Sequence, residues 1–130
     1  KYFNYNVIGC DTLIKLGDKI FDKAKNNKEA LLKIKKLSGK KHKIISSLTI
    51  CNQGSKIWEC SETTVVEIRK LTTKQIEEYL KKSGKQILQS VGCYQLEALG
   101  PQIIKDIKGD FFNVMGLPLF KLLKYVFDEQ

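Results

Sequence analysis

The sequence has little arginine, histidine or proline: Arg69 is the only arginine, His42 the only histidine, and there are two prolines. A lone histidine beside lysines excludes a Ser-His or Cys-His nucleophilic triad. The four cysteines, Cys10, Cys51, Cys60 and Cys93, form no C-x-x-C pair, so a structural zinc site lacks its ligand set. Their spacing also differs from a small secreted disulfide scaffold, and the favoured reading is four reduced thiols in a cytosolic protein. No run reaches the roughly eighteen apolar residues that a membrane helix needs, because Lys121 and Lys124 interrupt the greasiest stretch. Neither G-x-x-x-x-G-K-S/T nor G-x-G-x-x-G occurs. The polar start, Lys1-Tyr2-Phe3-Asn4, lacks the apolar segment of a signal peptide. The chain also opens without methionine, just ahead of a strand-like run, so sequence preceding Lys1 is expected.

What is abundant is lysine. The net charge is +9, and residues 1–43 hold twelve lysines against Asp11, Asp18, Asp22 and Glu29. Such a basic segment points to a polyanion: nucleic acid, a membrane surface or nucleotide phosphates. Base readout and bidentate phosphate clamps favour arginine, which is nearly missing, so a solvated lysine surface is preferred to a nucleic-acid interface.

With 130 residues, 42% of them hydrophobic, the chain suits one domain with one core over residues 1–130. Asn6–Leu16 reads as a buried strand, with Lys19-Ile20-Phe21 as a short return strand after the Gly17-Asp18 turn. Residues 27–38 read as a helix with Ala30, Leu31, Ile34 and Leu37 on one face, Asn26 or Asn27 as cap and Gly39 as stop. Residues 43–51 and 57–68 read as a hairpin about Gln53-Gly54, which sets Cys51 opposite Lys56 and Cys60 opposite Ser47. The Thr72/Gln75 capping box starts a helix over 73–83. Val91–Tyr94 and residues 102–107 read as further strands, and a last helix from about Pro118 packs through Leu119, Leu122, Leu123 and Val126. This order predicts an α/β fold, a mixed twisted sheet with flanking helices.

Asp11 interrupts an apolar strand, where a buried carboxylate is costly unless paired or put to use. On the residues alone it reads equally as a site acid and as a turn cap. Lys23, after the return strand, suits a phosphate partner, although a solvated lysine is the more common case in so lysine-rich a chain. Gly92-Cys93-Tyr94-Gln95-Leu96-Glu97 reads either as a loop that stacks on a base and reads its edge or as an ordinary connection.

Five segments then occur in a familiar order. Val7-Ile8-Gly9-Cys10-Asp11-Thr12 resembles the V-x-G-A-D-T segment of the Maf family. Ile20–Ala24 stands where that family has I-L-G-K-P, and Leu37–His42 is similar to L-S-G-R-x-H. Glu62-Thr63-Thr64-Val65 is similar to E-T-x-V, and residues 109–118 resemble G-D-Y-x-N-V-x-G-L-P.

The resemblance implies a nucleoside triphosphate pyrophosphatase that yields a nucleoside monophosphate and pyrophosphate and clears unwanted nucleotides. It implies an elongated α/β fold with a central cleft, a divalent cation (Mg²⁺ or Mn²⁺), a nucleoside triphosphate partner, a homodimer and a cytoplasmic setting. It makes Asp11 the proton acceptor, Thr12 a specificity residue, Lys23 the lysine of the G-K-P segment, and Gln95 and Glu97 substrate-binding residues. Three departures stand out. No S-x-S-P-R-R loop is present, G-K-P reads Asp22-Lys23-Ala24, and Glu97 takes the place of a specificity glutamine. Glu97 resembles the branch acting on methylated guanosine triphosphate, while Thr12 resembles the branch preferring thymidine and uridine nucleotides. The first two departures motivate a second reading, a catalytically inactive nucleotide-binding or regulatory module.

Overall fold

The computed structural model describes residues 4–129; Lys1–Phe3, part of the polar start, lie outside the described residues. The strands are β1 (Asn6–Leu16), β2 (Lys19–Phe21), β3 (Lys41–Asn52), β4 (Ser55–Ile68) and β5 (Ile104–Lys108). The helices are α1 (Asn27–Leu37), α2 (Thr73–Ser83), α3 (Phe111–Val114) and α4 (Leu119–Asp128). The strands form one sheet in the order β2-β1-β3-β4-β5, and every described pairing is antiparallel.

The local chemistry explains these boundaries. Asn26 caps α1 by accepting from the Glu29 amide at 2.9 Å. Gly39, at φ +71°, carries the chain out of that helix in a conformation that costs other residues a clash. Thr72 and Gln75 close the capping box of α2 with bonds of 3.2 and 2.8 Å. The hairpin turns on Gln53 and Gly54, both at positive φ, as a two-residue connection requires.

Hydrophobic burial divides into two clusters. Ile34, Leu37, Ile44, Val66, Ile68 and Ile76 belong to the larger, beneath α1 and α2. Leu48, Ile50 and Leu122 form the smaller, between the hairpin and α4. Each fully buried side chain of this size contributes about 1.5–3 kcal/mol. The larger cluster therefore dominates stability, and the smaller one serves mainly to seat α4.

Four expectations are corrected. The amino-terminal half of β1 is not buried: Val7 is 45% exposed and Ile8 51%, and Asp11 is exposed as well. Among the described residues β2 flanks only Ile14–Leu16, so the earlier part of β1 pairs with β3 alone. Cys60 faces Leu48 rather than Ser47, because a bulge between Ile50 and Cys51 shifts every later pair by one. Cys51 does face Lys56. Val91–Tyr94 forms no strand: the Cys93 amide bonds to the Ser90 carbonyl at 3.1 Å and Tyr79 donates to the Cys93 carbonyl at 2.9 Å. Those local bonds replace a ladder. Finally, α4 packs through Leu122 as expected, but Leu123 and Val126 are exposed, and Tyr125, stacked on Trp58 at 4.7 Å, takes their place.

Candidate functional site

Between the two apolar clusters the sheet turns polar. Thr12 on β1 and Ser46 on β3 are register partners, and their hydroxyls share a 3.0 Å hydrogen bond. Over this polar strip lies a cavity of ≈310 Å³. Its floor is Cys10, Thr12, Ile14 and Ile44, and Asp11 borders it. One wall is Gln89–Gly92 with Tyr94, and the facing wall is Val114, Met115 and Gly116. The cavity thus lies at the edge of the larger apolar cluster, which supplies Ile14, Ile44 and Tyr94 and against which Val114 packs.

Lys23 reaches the rim because its neighbours anchor it. Phe21 and Ala24 are each 5% exposed, and burying them leaves Asp22 and Lys23 facing out. Asp11 alternates to the opposite side of β1 from Thr12 and borders the cavity at the exposed part of that strand. Among the described residues Asp11 and Lys23 are the cavity's only acid and only cation. Three of the five residues singled out in the sequence, Asp11, Thr12 and Lys23, therefore meet at one cavity. Gln95 and Glu97 lie outside its lining: Gln95 donates to the Gln86 carbonyl at 3.5 Å, and Glu97 is exposed.

Both walls are braced by buried polar contacts. Tyr94 and His42 share a 2.7 Å bond between hydroxyl and Nε2. Burial holds the His42 imidazole down to about 4, so it is neutral near pH 7, and the same desolvation pushes the Tyr94 hydroxyl up. Burial likewise raises Tyr79 to about 12 and Cys93 to about 11, which keeps both protonated. Cys93 itself sits at φ +60°, a conformation uncommon outside glycine. A Cβ added at Gly92 would meet the Tyr94 ring at 2.5 Å and Ile14 at 2.7 Å, so only glycine lets this wall lie on the sheet. Opposite, the Cys10 thiol donates to the Gly116 carbonyl at 3.1 Å and ties β1 to the loop before α4. Burial raises the Cys10 thiol, which favours this donor form. Asn113 is wholly buried, and its Nδ2 donates to the Glu62 carbonyl and the Thr64 hydroxyl, each at 3.2 Å, bracketing α3 to β4.

The sequence reading missed Gln89, Ser90, Met115 and Gly116 as lining residues. Two signals pointed that way: Gly92 in an otherwise apolar run, and Asn113 three residues ahead of a glycine.

Residues 2–128 match the family model described as Maf-like protein. The chain belongs to the Maf family. Among the curated relatives of this Maf chain, a nucleoside triphosphate pyrophosphatase of Hyphomonas neptunium is 40% identical over 120 residues, covering 92% of this chain and 61% of that protein. A 7-methyl-GTP pyrophosphatase of Bartonella quintana is 41% identical over 117 residues, covering 90% and 59%. A nucleoside triphosphate pyrophosphatase of Granulibacter bethesdensis is 33% identical over 130 residues, covering 100% and 66%. The Maf chain spans about three-fifths of the length of the first two relatives. Among the described residues no helix is long and apolar enough to cross a membrane.

Proposed function

We propose that this chain carries the nucleotide cleft of a cytosolic nucleoside triphosphate pyrophosphatase, an enzyme that converts a nucleoside triphosphate and water into a nucleoside monophosphate and pyrophosphate. The observation that carries this is the meeting of Asp11, Thr12 and Lys23 at one cavity. The names of the relatives support the same reading.

The chemistry needs few protein groups. The oxygen of a water molecule bonds to phosphorus, the bond between the α- and β-phosphate units breaks, and pyrophosphate leaves. Asp11 orients that water and takes its proton. Lys23 neutralises charge on the polyphosphate, and the Thr12–Ser46 pair offers a polar floor to the substrate. A part for Gln95 and Glu97 in reading the base rests on the family resemblance alone.

A single carboxylate in the cavity suits Mg²⁺ or Mn²⁺ held chiefly by phosphate oxygens and water. Among the described residues no group of three or more His, Cys, Asp and Glu side chains forms a protein cage. Asp11 is the residue to hold such an ion, which when bound neutralises charge on the phosphates.

Pyrophosphate release from common and 7-methylated nucleoside triphosphates, with Mg²⁺ or Mn²⁺, tests the reading. Asp11→Asn is expected to cut kcat by roughly 10²-fold or more, the range for a lost general base. An Asp11→Asn protein of undiminished activity sinks the assignment, and nucleotide binding with no turnover of any substrate sinks the reaction.

A further inference from the structure

Away from the nucleotide cleft, the only arginine of the chain opens onto a second cavity, of ≈240 Å³, where β4 passes into α2. The two cavities share no lining residue. Arg69 and Lys70 enter from the connection, while Gln75, Glu78, Tyr79 and Lys82 come from one face of α2. That face follows from helical spacing, since positions three, four and seven apart stack above one another.

Most of the free polar ends here are donors. Arg69, Lys70 and Lys82 form no ion pair among the described residues. Glu78 and Lys82 stand at the i,i+4 spacing that commonly pairs, yet they remain apart, so Lys82 keeps its charge for another partner. The Gln75 Oε1 is taken by the Thr72 amide at 2.8 Å, which leaves its NH₂ group as the available end. The first turn of α2 contains no acid, and the helix dipole adds partial positive charge beside Arg69. Against these donors stands one carboxylate, that of Glu78.

We propose that this second cavity binds an oxyanion of the phosphate class. A guanidinium presents a planar fork that bonds two phosphate oxygens at once, which a lysine does not. In a chain whose other 22 basic residues are lysines, the arginine is placed with two unpaired cations and an amide donor around one open surface cavity. The volume holds a small anion, whereas a duplex backbone needs an extended basic stripe. Inorganic phosphate, pyrophosphate and a phosphomonoester share the recognised chemistry.

The experiment is an amide NMR titration of the ¹⁵N-labelled protein with inorganic phosphate, with pyrophosphate and with AMP at constant ionic strength, against a sodium chloride control. Saturable shifts are expected at Lys70, Leu71, Gln75 and Lys82, and the arm that binds tightest identifies the ligand type. Arg69→Ala is expected to weaken binding roughly tenfold or more, the effect of one charge-assisted pair, with Arg69→Lys intermediate. Lys82, exposed on α2, gives a second variant, Lys82→Ala, should Arg69→Ala fail to fold. Three results overturn the proposal: shifts that chloride reproduces, shifts confined to Asp11, Thr12 and Lys23, or wild-type affinity in a folded Arg69→Ala or Lys82→Ala variant. None of these readouts depends on turnover, so failure here leaves the pyrophosphatase reading untouched.

Discussion

His42 makes the fold sensitive to acid. It is 1% exposed, bonded to Tyr94, and lowered to about 4 from an ordinary 6.5 by burial. The unfolded chain therefore takes up this proton first as the pH falls. Stability present above about pH 6.5 is lost progressively down to about pH 4, by up to roughly 3 kcal/mol. Urea unfolding midpoints at pH 7 and pH 4 measure this, and His42→Gln is expected to lose that share of the difference. Parallel curves for the two proteins would disprove it. Nothing in the local sequence announced this role, because Lys40, Lys41 and Lys43 around His42 suggested a solvated site. Strand alternation decided otherwise: His42 points into the core while Lys41 and Lys43 face out.

At the scale of elements, the capped helices were the most legible features. The boundaries of α2 follow from Thr72 and Gln75, whose two bonds are both made. Thr72→Ala is expected to cost about 1 kcal/mol, read as a lower thermal midpoint with little change in helix content at 25 °C. A midpoint equal to that of the wild type would show that packing alone holds the start of α2. The hairpin was legible from Gln53-Gly54, but its bulge was not, because a bulge answers to packing on both strands. Here it brings Trp58 and Cys60 onto the face of Leu48 and Ile50, where Tyr125 stacks. The short helix α3 was not legible, since its four residues are held by the Asp110 cap and the Asn113 bracket more than by periodicity.

For the whole molecule, the decisive fact is that one sheet supports two separate apolar clusters with a polar strip between them. A nucleotide bound in the cavity as proposed is expected to slow hydrogen exchange on both walls. The Cys93 amide, bonded to Ser90, reports one wall, and the Gly116 amide, bonded to Asn113, reports the other. Protection of only one of the two amides at saturating nucleotide would argue against a ligand that spans the cleft.

Sequence by itself determined the helices α1 and α2, the hairpin turn and the α/β class, because caps, periodicity and turn chemistry act within a few residues. Order and spacing of short motifs added the family. Tertiary structure alone decided that Asp11 is exposed rather than buried, that Val91–Tyr94 forms no strand, and that Gly116 comes within 3.1 Å of Cys10. These outcomes depend on which elements cover which part of the sheet. Coverage is set by contacts between residues as far apart as Cys10 and Gly116, a separation at which local sequence patterns carry no information.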